Sequence, residues 1–191
     1  MAPPRLIVGI SGSSGPIYGV RLLEVLHQYC GEIESHLILT GGARTTIEYE
    51  LGREPGEVEQ LASVVHEEGN VGASIASGSF LTDGMVVAPC SIKTLSAIAT
   101  SYNDSLISRA ADVCLKERRK LVLLVRETPL HLGHLRLMAQ ATEAGAVILP
   151  PTPAFYHRPQ SIADIVDQTI VKVLDQFGLY VDDLMERWRG L

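Results

Sequence analysis

The chain has 191 residues, of which 46% are hydrophobic and 20% charged, and its formal net charge is −6 at pH 7. This size and composition predict one domain over residues 1–191 with a full core, and the acidic balance argues against a nucleic-acid surface. Three scattered cysteines, Cys30, Cys90 and Cys114, argue against a disulfide framework and predict a reducing, cytoplasmic location, and no apolar run reaches the roughly 18 residues of a membrane span.

The first predicted unit is a strand, a turn and a helix. Residues 5–10 are apolar and β-branched, which predicts a buried parallel strand, and residues 17–26 have apolar positions at helical spacing after Pro16. The turn between them, Ser-Gly-Ser-Ser-Gly-Pro, has small residues whose free N–H groups, with the helix dipole, favour a phosphate. The alternative is a plain turn without a ligand. Neither a G-x-x-x-x-G-K-[ST] loop nor a clean G-x-G-x-x-G is present, so ATP and NAD are not specifically indicated.

The remaining elements alternate in the same way. Apolar runs predict strands at 33–39, 85–88, 120–125 and 146–149. After the helix at 17–26, further helices are predicted from near Ala43 and over 57–66, 95–99, 105–119, 131–144, 161–177 and 181–188. Asn103 or Asp104 is the expected cap of the helix at 105–119, and Asp182 or Asp183 that of the last helix. Residues 74–80 are rich in small side chains and predict a loop.

Strands that alternate with helices predict an α/β fold of three layers with a central parallel sheet. Ligands of such sheets bind beyond the carboxyl ends of the strands. Three polar turns follow predicted strands, at 12–15, 90–94 and 126–128. We therefore expect these turns to converge on one site.

Five cations stand out in this acidic chain, namely Arg109, Lys116, Arg118, Arg119 and Arg126. The simplest interpretation of Arg118 and Arg119 is a solvated helix face. Arg126 follows a buried strand, where an unpaired charge is costly, so we expect a phosphate or Glu127 to compensate it.

Other polar residues admit two interpretations. Glu50 is either a helix-face charge or a site carboxylate, and His131 and His134 could form half of a metal site but lack a third ligand, so no metal is expected. Cys90 beside Ser91 could be a nucleophile, although a packed core thiol is the simpler interpretation. Tyr156 lies in a proline-bracketed loop, where exposed aromatic residues often serve function.

Taken together, the motifs closely resemble those of the UbiX-type flavin prenyltransferases, formerly described as aromatic-acid decarboxylases. The matching segments occur in order along almost the whole chain, at 9–15, 18–23, 77–80, 88–96, 109–119, 124–130 and 153–156. The resemblance implies a Rossmann-like (flavodoxin-like) flavoprotein domain that binds FMN between the subunits of a dodecamer. It also implies joining of a dimethylallyl group from dimethylallyl phosphate to N5 and C6 of reduced FMN, without metal, to give prenylated FMN for a UbiD-type decarboxylase.

The resemblance also assigns residues by motif. It implies FMN contacts from Gly12, Ser13, Ser14, Thr40, Ser91, Ile92, Lys93, Thr94 and Arg126. It implies contacts to the prenyl phosphate, some from a neighbouring subunit, from Arg109, Lys116, Glu127, Tyr156 and Lys172. The implied catalytic residues are Ser14, Glu50, Lys116, Arg126 and Glu127. Ser13 stands where alanine is common and Lys172 where arginine is common, and lysine offers charge without a bidentate fork.

Two alternatives remain at this point. An FMN-dependent cysteine decarboxylase would have Pro-Ala-Ser-Ala-Asn-Thr and Met-Asn-x-x-Met-Trp segments, whereas this chain has Pro-Cys-Ser-Ile-Lys-Thr at 89–94 and lacks the second motif. A non-catalytic flavin carrier would leave the basic residues and Glu127 without a role.

Overall fold

The computed structural model describes residues 3–29, 31–188 and 190. Its strands are β1 (Arg5–Ile10), β2 (Glu34–Leu39), β3 (Val64–His66), β4 (Gly84–Cys90), β5 (Lys120–Val125) and β6 (Val147–Ile148). Its α-helices are α1 (Ile17–Tyr29), α2 (Gly41–Leu51), α3 (Pro55–Glu59), α4 (Ile92–Ala99), α5 (Leu106–Lys116), α6 (Leu132–Glu143) and α7 (Ile162–Asp175). Short 3₁₀ turns cover Ser74–Ala76 and Asp182–Leu184.

The strands form one parallel sheet in the order β3-β2-β1-β4-β5-β6. In the centre, Val8 of β1 is in register with Leu37 of β2 on one side and with Val86 of β4 on the other. The chain moves outward from β1 through β2 to β3 and then returns to the other side of β1. The carboxyl ends of β1 and β4 therefore form the switch point where ligands of such sheets bind. The predicted α/β parallel fold is confirmed.

Two apolar cores cover the two faces of the sheet. One contains buried side chains of α1, α2 and α7, including Leu22, Ile47 and Ile170. The other contains side chains of α4, α5 and α6, including Leu95 and Ala141. Because the central strands are apolar on both faces, the sheet is buried between two helical layers, as parallel sheets require.

Two predicted helices are wrong. The helix expected at 57–66 stops at Glu59, and Val64–His66 is instead the edge strand β3, where Val65 pairs with Leu37 of β2. The β-branched pair Val64–Val65 suits a strand, and pairing with β2 decides between the two states. The tail over 181–188 has only the 3₁₀ turn Asp182–Leu184, with Val181 rather than an aspartate at its N-cap.

Side-chain caps fix the helix starts that face the switch point. Thr40 caps α2 by accepting from the Ala43 N–H at 3.1 Å, and Ser91 caps α4 by accepting from the Thr94 N–H at 3.3 Å. The cap of α5 is Ser105 in a capping box with Ser108, and not Asn103 or Asp104 as expected. Within the described residues, none of the helices combines the length and the apolar character needed to cross a bilayer.

Candidate functional site

The three turns predicted to converge are bonded to one another. The Ser11 hydroxyl donates to the Pro89 carbonyl at 2.8 Å and accepts from the Ser91 N–H at 2.8 Å. The Arg126 N–H donates to the Cys90 carbonyl at 3.1 Å. The ends of β1, β4 and β5 are thus held as one polar rim, as the sequence predicted.

A cavity of about 450 Å³ opens at this rim. Five of the residues assigned to FMN line it, namely Gly12, Thr40, Ser91, Lys93 and Thr94. The cavity also meets Gly41, the first residue of α2, and Ser105, the N-cap of α5. Three helix N-termini therefore face one space, and the positive ends of their dipoles favour an anionic ligand.

The backbone of the first turn approaches α2 closely. A Cβ atom added to Gly12 would lie 2.9 Å from the Gly42 Cα atom, whereas one added to Gly41 would meet nothing within 4 Å. The Ser13 hydroxyl oxygen is buried and has no hydrogen-bond partner among the described residues. These features leave the Ser13 hydroxyl without a protein partner beside Gly12, which lines the cavity.

The end of the first turn, at Gly15, contacts a carboxylate. The Glu50 carboxylate accepts from the Gly15 N–H at 2.8 Å, so α2 is tied to the turn. Burial raises the pKa of Tyr18, and the positive charge of nearby Arg126 opposes that rise. Glu50 and Tyr18 therefore lie beside Gly15, the residue after Ser14, and Arg126 lies near Tyr18.

The premise that Arg126 is a buried charge in need of a phosphate or Glu127 is wrong for the single chain. Its side chain is exposed, and water solvates the guanidinium, so no buried-charge penalty applies within a single chain. Glu127 is also exposed, and its carboxylate accepts from the Thr128 N–H at 3.0 Å. Both side chains are thus available to a ligand.

Glu68 is a cavity residue that the sequence interpretation missed. Its carboxylate accepts from the Gly41 N–H at 2.9 Å, at the N-terminus of α2, and it shares the cavity with Lys93. The strand β3 places it there, two residues after His66. The only possible signal was the β-branched pair that begins β3, which was assigned to a helix.

The residues assigned to the prenyl phosphate are spread along the chain. Arg109, near the start of α5, donates to the Ala76 carbonyl at 3.2 Å and pairs with Asp112 at 3.1 Å. Lys116 lies eight residues after Ser108, about 12 Å further along α5, at the amino edge of the sheet where β5 begins. There its ammonium pairs with the Glu117 carboxylate.

Lys172 lies in the other helical layer. It is on α7, which packs on α1, whereas Lys116 is on the opposite face of the sheet. Phe177, just beyond α7, packs on Gly84 at the start of β4, so this end of α7 is also at the amino edge. A single chain therefore does not bring Lys116 and Lys172 to its own cavity.

Tyr156 is on the loop before α7 and is 44% exposed. Its ring packs edge-on against Trp188, with 5.9 Å between ring centroids. Both rings line a separate cavity of about 330 Å³. Tyr156 is thus on the surface, as expected for a loop aromatic residue, but outside the cavity at the switch point.

The packed-thiol interpretation of Cys90 holds, and the two histidines make structural contacts. The Cys90 thiol is fully buried, and burial raises its pKa, so it is a core thiol and not a nucleophile. His131 accepts from the Gly133 N–H at 3.0 Å and caps α6, and its ring packs on His134 with 3.6 Å between centroids. Among the described residues, no group of three His, Cys, Asp or Glu side chains is placed to hold a metal ion.

The solvated interpretation of Arg119 is wrong. Its guanidinium donates to the Phe80 carbonyl at 2.8 Å and to the Gly78 carbonyl at 2.5 Å. Arg118 is exposed, as expected. The two neighbouring arginines thus differ, and only Arg119 anchors another segment.

Fold and cavity together define an α/β protein with a polar cavity at its switch point, and a family model described as Flavoprotein matches residues 1–174. The flavin prenyltransferase UbiX of Escherichia coli K12 is 62% identical over 187 residues, which cover 97% of this chain and 98% of that protein. The Thauera aromatica protein of the same name is 60% identical over 97% of this chain and 94% of its own length. The chain therefore belongs to the flavoprotein family and, within it, to the UbiX-type flavin prenyltransferases.

Solved structures agree with this assignment. The structure of AnUbiX (PadA1) in complex with FMN and dimethylallyl pyrophosphate matches with a TM-score of 0.95 at 46% identity, over 99% of each chain. A dodecameric FMN-dependent UbiX-like decarboxylase from Escherichia coli O157:H7 matches with a TM-score of 0.93 at 46% identity, over 98% of this chain and 100% of that chain. The cysteine decarboxylase SpaF matches with a TM-score of 0.64 at 18% identity, which shows a shared fold alone.

Proposed function

We propose that this chain is a flavin prenyltransferase that joins the dimethylallyl group of dimethylallyl phosphate to N5 and C6 of reduced FMN, without a metal ion. The observation that carries the proposal is the anion-binding cavity at the switch point, in a chain 62% identical to a protein of that name. Residues 1–191 are proposed to act as one FMN-binding domain.

The cavity suits FMN. The buried Ser13 hydroxyl lacks a partner among the described residues, and Gly12 and Gly41 expose backbone where no side chain intervenes. Three helix N-termini and the Lys93 ammonium favour a ligand with a phosphate. The residues proposed to hold FMN are Gly12, Ser13, Ser14, Thr40, Ser91, Ile92, Lys93, Thr94 and Arg126.

Reduced FMN supplies the electron-rich atoms to which the prenyl group is joined. The protein's part is to orient the two substrates and to stabilise the departing phosphate. Ser14, Glu50, Arg126 and Glu127 are proposed to act there, because the first turn, Glu50 and Arg126 lie at the same rim and Glu127 follows Arg126. Fixed cations at a developing phosphate stabilise charge only as it forms, which lowers the barrier.

The residues that bind the departing phosphate, here called the phosphate clamp, are proposed to come from more than one subunit. The clamp is proposed to be completed by Arg109, Lys116, Tyr156 and Lys172. Of these, Lys116 and Lys172 lie at the amino edge of the sheet, away from the cavity of their own chain. A neighbouring subunit can supply them.

Assembly into a dodecamer is proposed, as in the UbiX-like relative. The exposed leucines at and before the start of α6, Leu130, Leu132 and Leu135, are between 42% and 59% exposed and form an apolar patch. Only Ala141 of that helix is buried within the chain, so we propose that a second subunit packs on the exposed leucines.

The product, prenylated FMN, is proposed to pass to a UbiD-type decarboxylase. The chain is not itself expected to decarboxylate aromatic acids, because its one assigned site is used by flavin and prenyl phosphate. A cytoplasmic location is proposed because Cys90 and Cys114 are free thiols within the described residues.

The test is mass spectrometry of flavin after anaerobic incubation of the purified protein with reduced FMN and dimethylallyl phosphate. The expected result is a flavin heavier by one prenyl group, formed equally in the presence of a chelator. Unchanged FMN mass would contradict the proposal. Carbon dioxide released from a phenolic acid without a partner enzyme would contradict the proposed division of labour.

A further inference from the structure

The proposed function gives Lys116 a place in the phosphate clamp, and the following inference rests on that function. We propose that Arg119 is a positioning residue for Lys116. It anchors the turn Ser77–Ser79 against the end of α5, and that turn forms a wall beside the Lys116 ammonium.

The Arg119 guanidinium binds the 77–82 segment at several points. One nitrogen donates to the Phe80 carbonyl at 2.8 Å and reaches the Thr82 hydroxyl at 3.5 Å, and the other donates to the Gly78 carbonyl at 2.5 Å. Two carbonyls two residues apart match the planar fork of an arginine, which a lysine cannot reproduce. Arg119 thus fixes the path of the turn.

The anchored turn passes directly by the Lys116–Glu117 ion pair. A Cβ atom added to Gly78 would lie 2.8 Å from the Lys116 ammonium nitrogen and would also collide with the Glu117 carboxylate. The backbone at Gly78 therefore lies close to this ion pair, and because Gly78 has no side chain, there is room for the Lys116 ammonium.

Lys116 needs such a wall because its ion pair alone holds it weakly. Its side chain is 46% exposed and that of Glu117 is 36% exposed, so water screens their attraction. A lysine on a flexible four-carbon stem loses rotamer freedom when it binds a phosphate, and a preset position reduces that loss. Arg119 sets the position without touching the substrate.

The other contacts of the segment leave this role to Arg119. Arg109 binds the Ala76 carbonyl, before the turn, and the Arg5 guanidinium lies over the Phe80 ring at 4.6 Å, after it. Of these three arginines, only Arg119 binds Gly78 itself.

The experiment compares Arg119→Ala and Arg119→Lys in the assembled protein, with Arg118→Ala as the matched control one residue away. Initial rates are measured with reduced FMN and dimethylallyl phosphate, and FMN affinity is measured by fluorescence quenching. A misplaced Lys116 should lower kcat/KM for dimethylallyl phosphate by about 10- to 100-fold in Arg119→Ala, with FMN affinity unchanged. Arg119→Lys should recover part of this loss, and Arg118→Ala should match the wild type.

A double variant separates positioning from a general structural effect. If Arg119 acts through Lys116, Arg119→Ala adds almost nothing to Lys116→Ala, because the group it positions is already gone. Equal losses in both backgrounds, or an unchanged kcat/KM in Arg119→Ala, overturn the proposal. If Arg119→Ala does not assemble, Arg119→Lys decides, because lysine lacks the planar fork: a lowered kcat/KM with unchanged FMN affinity supports the positioning role, and a wild-type value overturns it.

Failure of this inference is distinct from failure of the proposed function. Wild-type protein that forms no prenylated FMN contradicts the function itself. Wild-type turnover that depends on Lys116 but not on Arg119 contradicts the positioning role alone.

Discussion

The Glu50 carboxylate accepts a hydrogen bond from the Gly15 backbone N–H at 2.8 Å, and this bond ties α2 to the turn that follows β1. Gly15 has a φ of 93°, a conformation that side chains rarely adopt, so the turn depends on glycine there. The carboxylate occupies an N–H that an anionic ligand could otherwise use. The buried unpartnered polar group of this turn among the described residues is the Ser13 hydroxyl, next to the cavity-lining Gly12.

Glu50 has two separable roles, and two substitutions distinguish them. Glu50→Gln keeps an acceptor for the Gly15 N–H, so thermal stability and FMN affinity should remain near wild type. If its charge serves catalysis, prenylation should fall by about 10²-fold or more. Glu50→Ala should additionally lose on the order of 1 kcal/mol of stability, measured by urea unfolding. Wild-type turnover in Glu50→Gln would assign Glu50 to the turn alone.

The contact between Gly12 and Gly42 gives a second prediction. A Cβ atom on Gly12 would lie 2.9 Å from the Cα and 3.0 Å from the carbonyl carbon of Gly42, and backbone cannot rotate away. Gly12→Ala should therefore push α2 from the first turn, cost about 1–3 kcal/mol of stability and weaken FMN binding. Gly56→Ala is the control, because a Cβ atom there meets nothing within 4 Å and alanine favours the helix. Equal FMN affinity in both variants would show that this close approach does not shape the site.

A hydrogen-bonded pair of histidines, of which His36 is buried and His66 half-buried, makes stability depend on pH. His36 is 2% exposed, its Nδ1 atom lies 2.9 Å from Nε2 of His66, and its Nε2 atom lies 2.8 Å from the Glu34 carboxylate. Burial lowers the pKa of His36, an effect that the Glu34 carboxylate opposes and the Arg5 charge reinforces. Burial and the charge of His36 lower the pKa of His66.

Because both histidine pKa values are lowered by folding, the unfolded chain binds protons first as pH falls. Stability contributed by the neutral pair is therefore complete above an ordinary histidine pKa of about 6.5 and is lost as pH falls below it. His66→Gln should reduce the slope of unfolding free energy against pH in that range by up to about 1.4 kcal/mol per pH unit. His27→Gln, at an exposed position on α1, should leave the slope unchanged. A wild-type slope in His66→Gln would remove the pair as the cause.

The sequence predicted the parts of this molecule that local chemistry decides. The apolar run of β5 and the small-residue turn after β1 were correctly placed, because burial on both faces and tight turning leave a clear pattern. Convergence of the turns followed from the parallel topology alone, since carboxyl ends of parallel strands share an edge.

Features that depend on distant partners were missed. Strand β3 has only three residues and exists because β2 offers it an edge, so its local sequence did not distinguish it from the end of a helix. Glu68 depends on that strand for its place in the cavity. Arg119 resembled a solvated residue because the carbonyls it binds lie about 40 positions earlier in the chain, at Gly78 and Phe80.

The position of Lys116 leads to a prediction about shared sites. Loss of one charge-assisted donor to a departing phosphate should cost about 2.7–4 kcal/mol of barrier, a rate reduction of roughly 10² to 10³. Lys116→Ala should therefore retain FMN and fail to prenylate it, whereas Arg118→Ala, on a solvated position, should turn over normally. If Lys116→Ala turns over at the wild-type rate, Lys116 is only a solvated residue at the end of α5 and does not bind the phosphate.

Mixed oligomers test whether Lys116 serves a neighbouring subunit. Lys116 lies about 12 Å along α5 from the cavity-lining Ser108, whereas Arg126 is at the carboxyl rim of its own chain. Lys116→Ala and Arg126→Ala chains, each impaired alone, are co-expressed with different tags, and the mixed assemblies are isolated. If each site takes Arg126 from one chain and Lys116 from another, random assortment should restore about a quarter of wild-type activity. If both residues act within one chain, every site lacks one of them, and the mixed assemblies stay as inactive as the separate variants.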